Sequence, residues 1–227
     1  MAVALAAPCN WVRCSPTRRT INRGRVYVRA LEDVEDDDVL WLTSGTTQLP
    51  PLVEATLRLQ STGSTSLRVV KPPGVDELWE WYEKVGYDDS DPSWGRVWKT
   101  ASDLSALVLA GALPACCLRG KRVVEVGCGL GFVGLAAAVT QGSRVIFCDR
   151  EPLAIHCALS SAQLNGLEVH SVEDISKSSQ GVAGAVLDWA SPLDTLAQSA
   201  DVVLGADCLY DPATAAMLAK TCKHVLG

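Results

Sequence analysis

The sequence lacks the cysteine and histidine spacings that structural metal sites require. None of its nine cysteines forms a C-x-x-C pair, and its three histidines lie far apart along the chain. Structural zinc sites take four Cys or His ligands, usually in closely spaced pairs, so we expect no metal centre. Most of the cysteines lie in apolar segments, where a reduced thiol behaves as a small buried hydrophobic group.

A basic excess and a long apolar run are also missing. The formal net charge of −6 argues against a general nucleic-acid-binding protein, which carries a basic surface. No apolar stretch approaches the roughly 18 residues of a membrane span. We therefore expect neither a nucleic-acid partner nor a membrane span. A chain of 227 residues with 48% hydrophobic content suits one α/β domain with extensions.

The first 30 residues contain no acid but have six arginines, and an acidic stretch follows directly. This composition predicts a disordered transit peptide over residues 1–30, and Val28-Arg29-Ala30 resembles a plastid processing site. Chloroplast is the first expectation for the location, with mitochondrion or cytoplasm as alternatives. A basic disordered tail without a targeting role is the simpler interpretation of the same residues.

Residues 31–92 are expected to form an acidic linker followed by an N-terminal extension. Two alternating segments, 55–60 and 66–71, flank a Ser-Thr-Gly turn and predict a β-hairpin. Pro72-Pro73-Gly74 ends the hairpin, and residues 75–85 predict a short helix.

Residues 93–227 alternate between helical and apolar strand patterns. Helices are predicted over 102–113, 131–139, 151–164 and about 211–224, and strands over 123–126, 144–149, 183–189 and 201–207. This order predicts an α/β fold: a Rossmann-like, open and mostly parallel sheet with helices on both faces. Four strands are few for such a sheet. We therefore expect a domain truncated after its fourth strand and following helix, with that strand's edge uncovered.

A glycine turn follows the first of these strands. Gly129-x-Gly131-x-x-Gly134 fits a dinucleotide-binding turn, and Asp149 lies where such folds bind ribose. Glu125, however, is an acid within the apolar strand that leads into the turn. Its charge would repel a pyrophosphate and attract a ligand with a cationic amino group, such as S-adenosylmethionine. The glycines alone leave both cofactors open.

Polar residues follow all four strands, and ligands of parallel sheets bind at that edge. Together these motifs resemble the class I, seven-β-strand S-adenosylmethionine-dependent methyltransferases. Within that class they are most similar to the lysine-methyltransferase-like group with a D-x-x-Y motif, methyltransferase family sixteen. The matching residues are Trp98, Glu125-x-Gly127-x-Gly129-x-Gly131, Asp149, Asp188-Trp189 and Asp207-x-x-Tyr210.

The resemblance implies a role for each of these residues. Gly127, Gly129 and Gly131 would let the backbone approach the methionine and sugar parts of S-adenosylmethionine, and Glu125 would orient either the turn or the ligand's ammonium group. Asp149 would accept the two ribose hydroxyls. Asp188 and Trp189 would flank the adenine, and Trp98 would close the cofactor's other side. A core position for Trp98 fits the sequence equally well.

Asp207 and Tyr210 occupy the positions at which the acceptor group would arrive in that family. The expected function is S-adenosylmethionine-dependent methylation of a lysine in a protein partner. A small-molecule N-methyltransferase fits the same cofactor motifs. A non-catalytic cofactor-binding remnant is the alternative from another class, because the expected later strands are missing from the sequence. The oligomeric state stays open.

Overall fold

A computed structural model describes residues 2–6, 50, 52–60, 64–87, 90–113, 117–209 and 211–227. The strands in this part of the chain are β1 (Ala2–Ala6), β2 (Val53–Gln60), β3 (Ser64–Lys71), β4 (Arg122–Val126), β5 (Arg144–Asp149), β6 (Gly181–Val186) and β7 (Val202–Ala206). The α-helices are α1 (Val75–Val85), α2 (Lys99–Leu109), α3 (Phe132–Gln141), α4 (Pro152–Leu164) and α5 (Ala215–Leu226).

The central sheet has the strand order β1-β7-β4-β5-β6. Strands β7, β4, β5 and β6 are parallel to one another, and β1 pairs antiparallel with β7. The predicted open, mostly parallel α/β sheet is therefore confirmed. Because the four parallel strands point the same way, the residues that follow them lie at one edge of the sheet.

Successive residues of each strand pack on opposite faces of the sheet. Val123 of β4 and Phe147 of β5 belong to a core with residues of α2, α3 and α4, whereas Val124 and Ile146 belong to a core with residues of α5. This alternation is the period of two that a strand imposes. Helices cover both faces, as predicted.

The N-terminal extension packs on α4 beside the sheet. The backbone N–H of Val70 in β3 donates to the Ser161 hydroxyl at 2.8 Å, and the Asn165 side-chain amide donates to the carbonyl of Arg68 at 2.7 Å. A third apolar cluster joins the hairpin and α1 to α4 through residues that include Leu78 and Leu153. The predicted hairpin and helix are confirmed, and α1 has the predicted bounds.

Strand β1 differs from the sequence-based expectation. Residues 1–30 were predicted to be disordered, yet Ala2–Ala6 pair along β7 from Ala2 opposite Ala206 to Ala6 opposite Val202. The edge of β7, which was expected to be uncovered, has its backbone groups paired by these five residues. Unpaired edge N–H and C=O groups favour this pairing. The remaining residues of the predicted transit peptide lie outside the described ranges.

Several other bounds also differ, and α2 ends at Leu109 rather than at 113. Helix α2 begins at Lys99 rather than at 102, β6 ends at Val186 rather than at 189, and α5 begins at Ala215 after a 3-10 turn over Pro212–Thr214. Side-chain hydrogen bonds account for the end of β6 and the late start of α5. The Asp188 carboxylate accepts from the Ala190 N–H, and the Asp211 carboxylate accepts from the Ala213 N–H. Within the described ranges, no helix is both long and apolar enough to cross a membrane.

Candidate active site

The ends of the four parallel strands border a cleft of about 280 Å³. Strand β4 leads into the glycine turn, β5 ends at Asp149, and the segments after β6 and β7 supply Asp188 and Asp207. The residues predicted from sequence that line the cleft are Trp98, Glu125, Gly127, Gly129, Asp149, Asp188, Trp189 and Asp207. The fold therefore brings together eight positions spread over 110 residues of sequence.

The glycine turn approaches its neighbours too closely for a side chain. Gly127 and Gly129 have φ values of +58° and +51°, in the left-handed region that favours glycine. A Cβ atom on Gly127 would lie 2.6 Å from the Cβ of Cys208, and one on Gly129 would lie 3.3 Å from the carbonyl oxygen of Trp94. These glycines hold the backbone between β7 and the Trp94 segment, where it borders the cleft.

Gly131 is packed against two neighbouring elements. It does not line the cleft formed by the described residues, and a Cβ there would lie 2.7 Å from the Cβ of Ala158 and 2.9 Å from the Phe147 ring. Gly131 therefore permits α3 to pack against α4 and β5. The contact of Gly131 with the cofactor's methionine and sugar stays a prediction.

Glu125 binds the start of α3. Its Oε2 accepts a hydrogen bond of 2.8 Å from the Gly134 N–H, and the Val133 N–H is a second donor. Burial raises the pKa of Glu125 to about 8, against the opposing effect of these two donors. Of the two roles left open by the sequence, this geometry corresponds to orienting the turn.

The position of Glu125 also bears on the dinucleotide alternative. A pyrophosphate in such folds binds to the free N–H groups at a helix N-terminus. In this chain the Glu125 carboxyl group already accepts from the Val133 and Gly134 N–H groups of α3. A pyrophosphate would therefore lack these two backbone donors.

Asp149 is fixed at the end of β5 by two backbone groups. Its Oδ2 accepts from the Gly129 N–H at 2.8 Å, and its Oδ1 accepts from the Glu151 N–H at 3.0 Å. Burial raises the pKa of this carboxyl group, although the hydrogen bonds oppose the shift. Each carboxylate oxygen has a further lone pair. Asp149 can thus present two acceptors to a diol in the cleft.

Asp188 and Trp189 form another wall. Asp188 is exposed at the cleft rim and its Oδ1 accepts from the Ala190 N–H at 2.8 Å. The Trp189 carbonyl accepts from the Thr221 hydroxyl at 3.3 Å, and its indole lies beside Gly127. A flat apolar surface next to a carboxylate suits an aromatic base with an exocyclic amine.

Trp98 also lines the cleft and is not a core residue. Its side chain is 38% exposed, and its indole N–H donates to the Ser93 carbonyl at 3.1 Å. The guanidinium carbon of Arg96 lies 3.5 Å from the centre of the Trp98 ring. Trp98 thus has one ring face covered by a cation while its edge is held by the backbone.

Asp207 lies directly after β7 in an unusual backbone conformation. Its φ of +54° is in the left-handed region, where Asp and Asn are the commonest side chains after glycine. A hydrogen bond from the Thr100 side chain is the largest influence on Asp207 and lowers the pKa of its carboxyl group, and the Thr100 backbone N–H is a further donor. Asp207 therefore caps the first turn of α2. The predicted catalytic residue Tyr210 lies outside the described residues.

Sequence reasoning missed a hydrogen-bonded group behind the cleft. The Trp94 indole N–H donates to the hydroxyl of buried Tyr82 at 2.9 Å, and that hydroxyl is also the partner of the Glu151 carboxyl group. Burial raises the pKa of Glu151 to about 7. The position of Glu151 two residues after Asp149 was the available signal. Its partner on α1 could not be read from the sequence.

No group of three or more His, Cys, Asp or Glu side chains in the described part of the chain could hold a metal ion. Cys128, Cys148, Cys157 and Cys222 are buried free thiols there, which fits their predicted packing role.

Comparison with known proteins identifies the family. A sequence profile described as lysine methyltransferase matches residues 87–227, which is more than half of the chain. The chain belongs to this lysine methyltransferase family. The family is of the S-adenosylmethionine-dependent class I methyltransferases, which confirms the resemblance and the cofactor inferred from the sequence.

Three relatives illustrate the match. Protein N-lysine methyltransferase METTL21A of Danio rerio is 37% identical over 131 residues, which are 57% of this chain and 54% of the relative. The electron transfer flavoprotein beta subunit lysine methyltransferase of Mus musculus is 30% identical over 152 residues, 63% of this chain and 57% of the relative. Calmodulin-lysine N-methyltransferase of Arabidopsis thaliana is 29% identical over 110 residues, which are 48% of this chain and 34% of the relative. This chain spans about half the length of the first two.

Proposed function

We propose that this protein transfers a methyl group from S-adenosylmethionine to the side-chain nitrogen of a lysine in a protein substrate. The observation that carries the proposal is the convergence of Asp149, Asp188 and Asp207 from the ends of three parallel strands on one cleft beside the glycine turn. The names of the relatives support a protein lysine as the acceptor class.

The cleft residues fit the parts of S-adenosylmethionine. Asp149 would accept the ribose hydroxyls through the lone pairs that its two backbone donors leave free. Trp189 would lie against the adenine and Asp188 would accept from its amine. The backbone at Gly127 and Gly129 leaves room for the amino-acid end of the ligand. When bound, S-adenosylmethionine supplies an electrophilic methyl group on a positively charged sulfur.

Asp207 is the residue that meets the acceptor in this proposal. A lysine approaches as an ammonium ion, which an ionised carboxylate attracts, and the pKa of Asp207 is lowered so that it is charged at neutral pH. After loss of a proton, the neutral lysine nitrogen attacks the methyl carbon while the carbon–sulfur bond breaks and its electron pair stays on sulfur. Alignment of nitrogen, carbon and sulfur is the main requirement of such a displacement.

Calorimetric titration of the full chain with S-adenosylhomocysteine tests the cofactor half of the proposal. We expect one-to-one binding that Asp149→Asn weakens at least about tenfold, because an amide has a single acceptor oxygen and cannot accept from both backbone N–H groups. Asp194→Asn is the matched control, since Asp194 is exposed and does not line the cleft. A folded sample that binds no S-adenosylhomocysteine would overturn the proposal.

Transfer of labelled methyl groups tests the acceptor half. Incubation with labelled S-adenosylmethionine and a lysate should place label in protein, and acid hydrolysis should recover it as methyl-lysine. Label in the small-molecule fraction alone would favour a metabolite acceptor. Cofactor binding without any transfer would favour a non-catalytic role.

We also propose that residues 1–30 direct the protein to a chloroplast. Their six arginines and the absence of acids support this location. Processing near Ala30 would remove β1 and leave the outer edge of β7 without that partner. Import of a fluorescent protein fused to residues 1–30 into isolated chloroplasts, with shortening of the fusion, is the expected result. Uptake by mitochondria alone would contradict it.

A further inference from the structure

Charge is distributed unevenly around the cleft. The described residues that line it include six carboxyl groups and two guanidinium groups. One of the two cations, Arg150, has its guanidinium 4.0 Å from the Asp91 carboxylate. Arg96 has no carboxylate at ion-pair distance among the described residues. Among the described residues, Arg96 is thus the cleft cation that no carboxylate pairs with.

The backbone around Arg96 directs its side chain. Arg96 and Trp98 both have extended conformations, with ψ near 155°. Side chains two residues apart in an extended segment point the same way, which places the guanidinium of Arg96 on the Trp98 ring at 3.5 Å. The hydrogen bond from the Trp98 indole to Ser93 holds that ring in place. A guanidinium stacked on an aromatic face keeps its N–H groups directed outward for a planar anion.

The location of this segment indicates which anion it meets. A Cβ on Gly129 would lie 3.3 Å from the Trp94 carbonyl oxygen, so the backbone of Trp94, two residues before Arg96, lies against the glycine turn. The amino-acid end of S-adenosylmethionine is assigned to that turn. This end carries one ammonium and one carboxylate, and the surrounding acids can bind only the ammonium.

We infer that Arg96 binds the α-carboxylate at the amino-acid end of S-adenosylmethionine. The inference rests on the proposed function. A planar guanidinium forms two parallel hydrogen bonds with a carboxylate, and such charge-assisted pairs are stronger than neutral ones. Arg96 thereby distinguishes the complete cofactor from adenosine derivatives that lack the carboxylate.

A two-by-two binding experiment tests the assignment. Titrations of the full chain and of Arg96→Gln would use S-adenosylmethionine and its decarboxylated analogue, which keeps the sulfonium and the amine. We expect Arg96→Gln to weaken S-adenosylmethionine roughly ten- to hundred-fold and the decarboxylated analogue less than about twofold. Arg96→Lys should give an intermediate loss, because it keeps the charge without the planar fork.

Arg150→Gln is the matched control, since it removes the other cleft guanidinium. It should leave the ratio of the two affinities unchanged. Equal weakening of both ligands by Arg96→Gln would mean that Arg96 acts only by holding Trp98 and would overturn the assignment. Arg96→Gln could instead leave cofactor affinity unchanged and raise the KM for a protein substrate that carries acids beside its lysine. That result would overturn the assignment and place Arg96 against a carboxylate of the acceptor. If neither ligand bound the unmodified chain, the proposed function itself would fail.

Discussion

The Oε2 atom of Glu125 in β4 accepts a 2.8 Å hydrogen bond from the backbone N–H of Gly134 in α3. Gly131, the N-cap of this helix, has no side chain that could accept from the first turn. Glu125 therefore supplies from the strand the cap that the glycine turn cannot supply. A buried acid in the middle of an apolar strand is thus required by the turn that follows it, and the cleft benefits because the turn is held in one conformation.

Replacing Glu125 with Gln should change how stability depends on pH. The pKa of Glu125 rises from 4.5 to about 8 on folding. The native state therefore holds a proton between these values that the unfolded state has lost, and stability falls as pH rises through this window by up to about 1.4 kcal/mol per pH unit. Glu125→Gln cannot titrate, so it should gain stability relative to the unmodified chain between pH 5.5 and pH 8. Urea unfolding at a series of pH values measures this difference.

Glu80→Gln, an exposed change on α1, should leave the pH dependence as it is. Parallel stability curves for the unmodified chain and Glu125→Gln would show that Glu125 stays ionised in the folded protein.

Gly131→Ala should destabilise the fold far more than Gly142→Ala. Both glycines have similar positive φ values, +67° and +60°. A Cβ on Gly131 would meet Ala158 and Phe147 within 3 Å, whereas one on Gly142 would meet nothing within 4 Å. Forcing alanine into the left-handed backbone conformation lowers the free energy of unfolding by about 1–2 kcal/mol at either site, and overpacking at Gly131 lowers it by about 1–3 kcal/mol more. Denaturant midpoints for the two variants give the comparison, and equal losses would refute the packing role.

Periodicity and turn residues were enough to predict the architecture. The apolar runs of β4 and β5 and the pattern of α1 have a strong local signal, so their positions were predicted closely. Parallel strands then place Asp149, Asp188 and Asp207 at one edge by topology alone. Contacts between distant segments were beyond sequence reasoning. The start of α2 depends on Asp207, which lies more than 100 residues later.

Tyr82→Phe should weaken the attachment of α1 to the cleft. The Tyr82 hydroxyl accepts from the buried Trp94 indole at 2.9 Å and partners Glu151. Its removal leaves a buried donor without its acceptor, which costs about 1–3 kcal/mol. Trp79→Phe is the control, because it deletes an indole hydrogen bond to Glu83 that is exposed. Thermal unfolding should show a clear loss for Tyr82→Phe and little change for the control. Similar small losses in both would mean that the network contributes no stability.

Thr100 should affect methyl transfer through Asp207 and leave cofactor affinity unchanged. Its hydroxyl and its backbone N–H both donate to the Asp207 carboxylate, whose φ of +54° already holds the residue in a conformation that few side chains adopt. Thr100→Val keeps the shape and removes one donor. We expect kcat/KM for the protein acceptor to fall about fivefold, the effect of one hydrogen bond of about 1 kcal/mol, while the Kd of S-adenosylhomocysteine changes little.

Thr100→Ser keeps the hydroxyl and removes the methyl group, so it should keep most of the rate. A loss of rate in Thr100→Ser as large as in Thr100→Val would mean that Thr100 acts through the packing of its methyl group. Asp207→Asn is the companion variant, because Asn also tolerates the left-handed backbone and the change removes only the charge. If Thr100 positions the Asp207 carboxylate and that carboxylate meets the lysine, Asp207→Asn should lower kcat/KM more than Thr100→Val does. Cofactor affinity should again stay unchanged. Loss of S-adenosylhomocysteine binding in either variant would instead place Asp207 on the cofactor's side of the cleft.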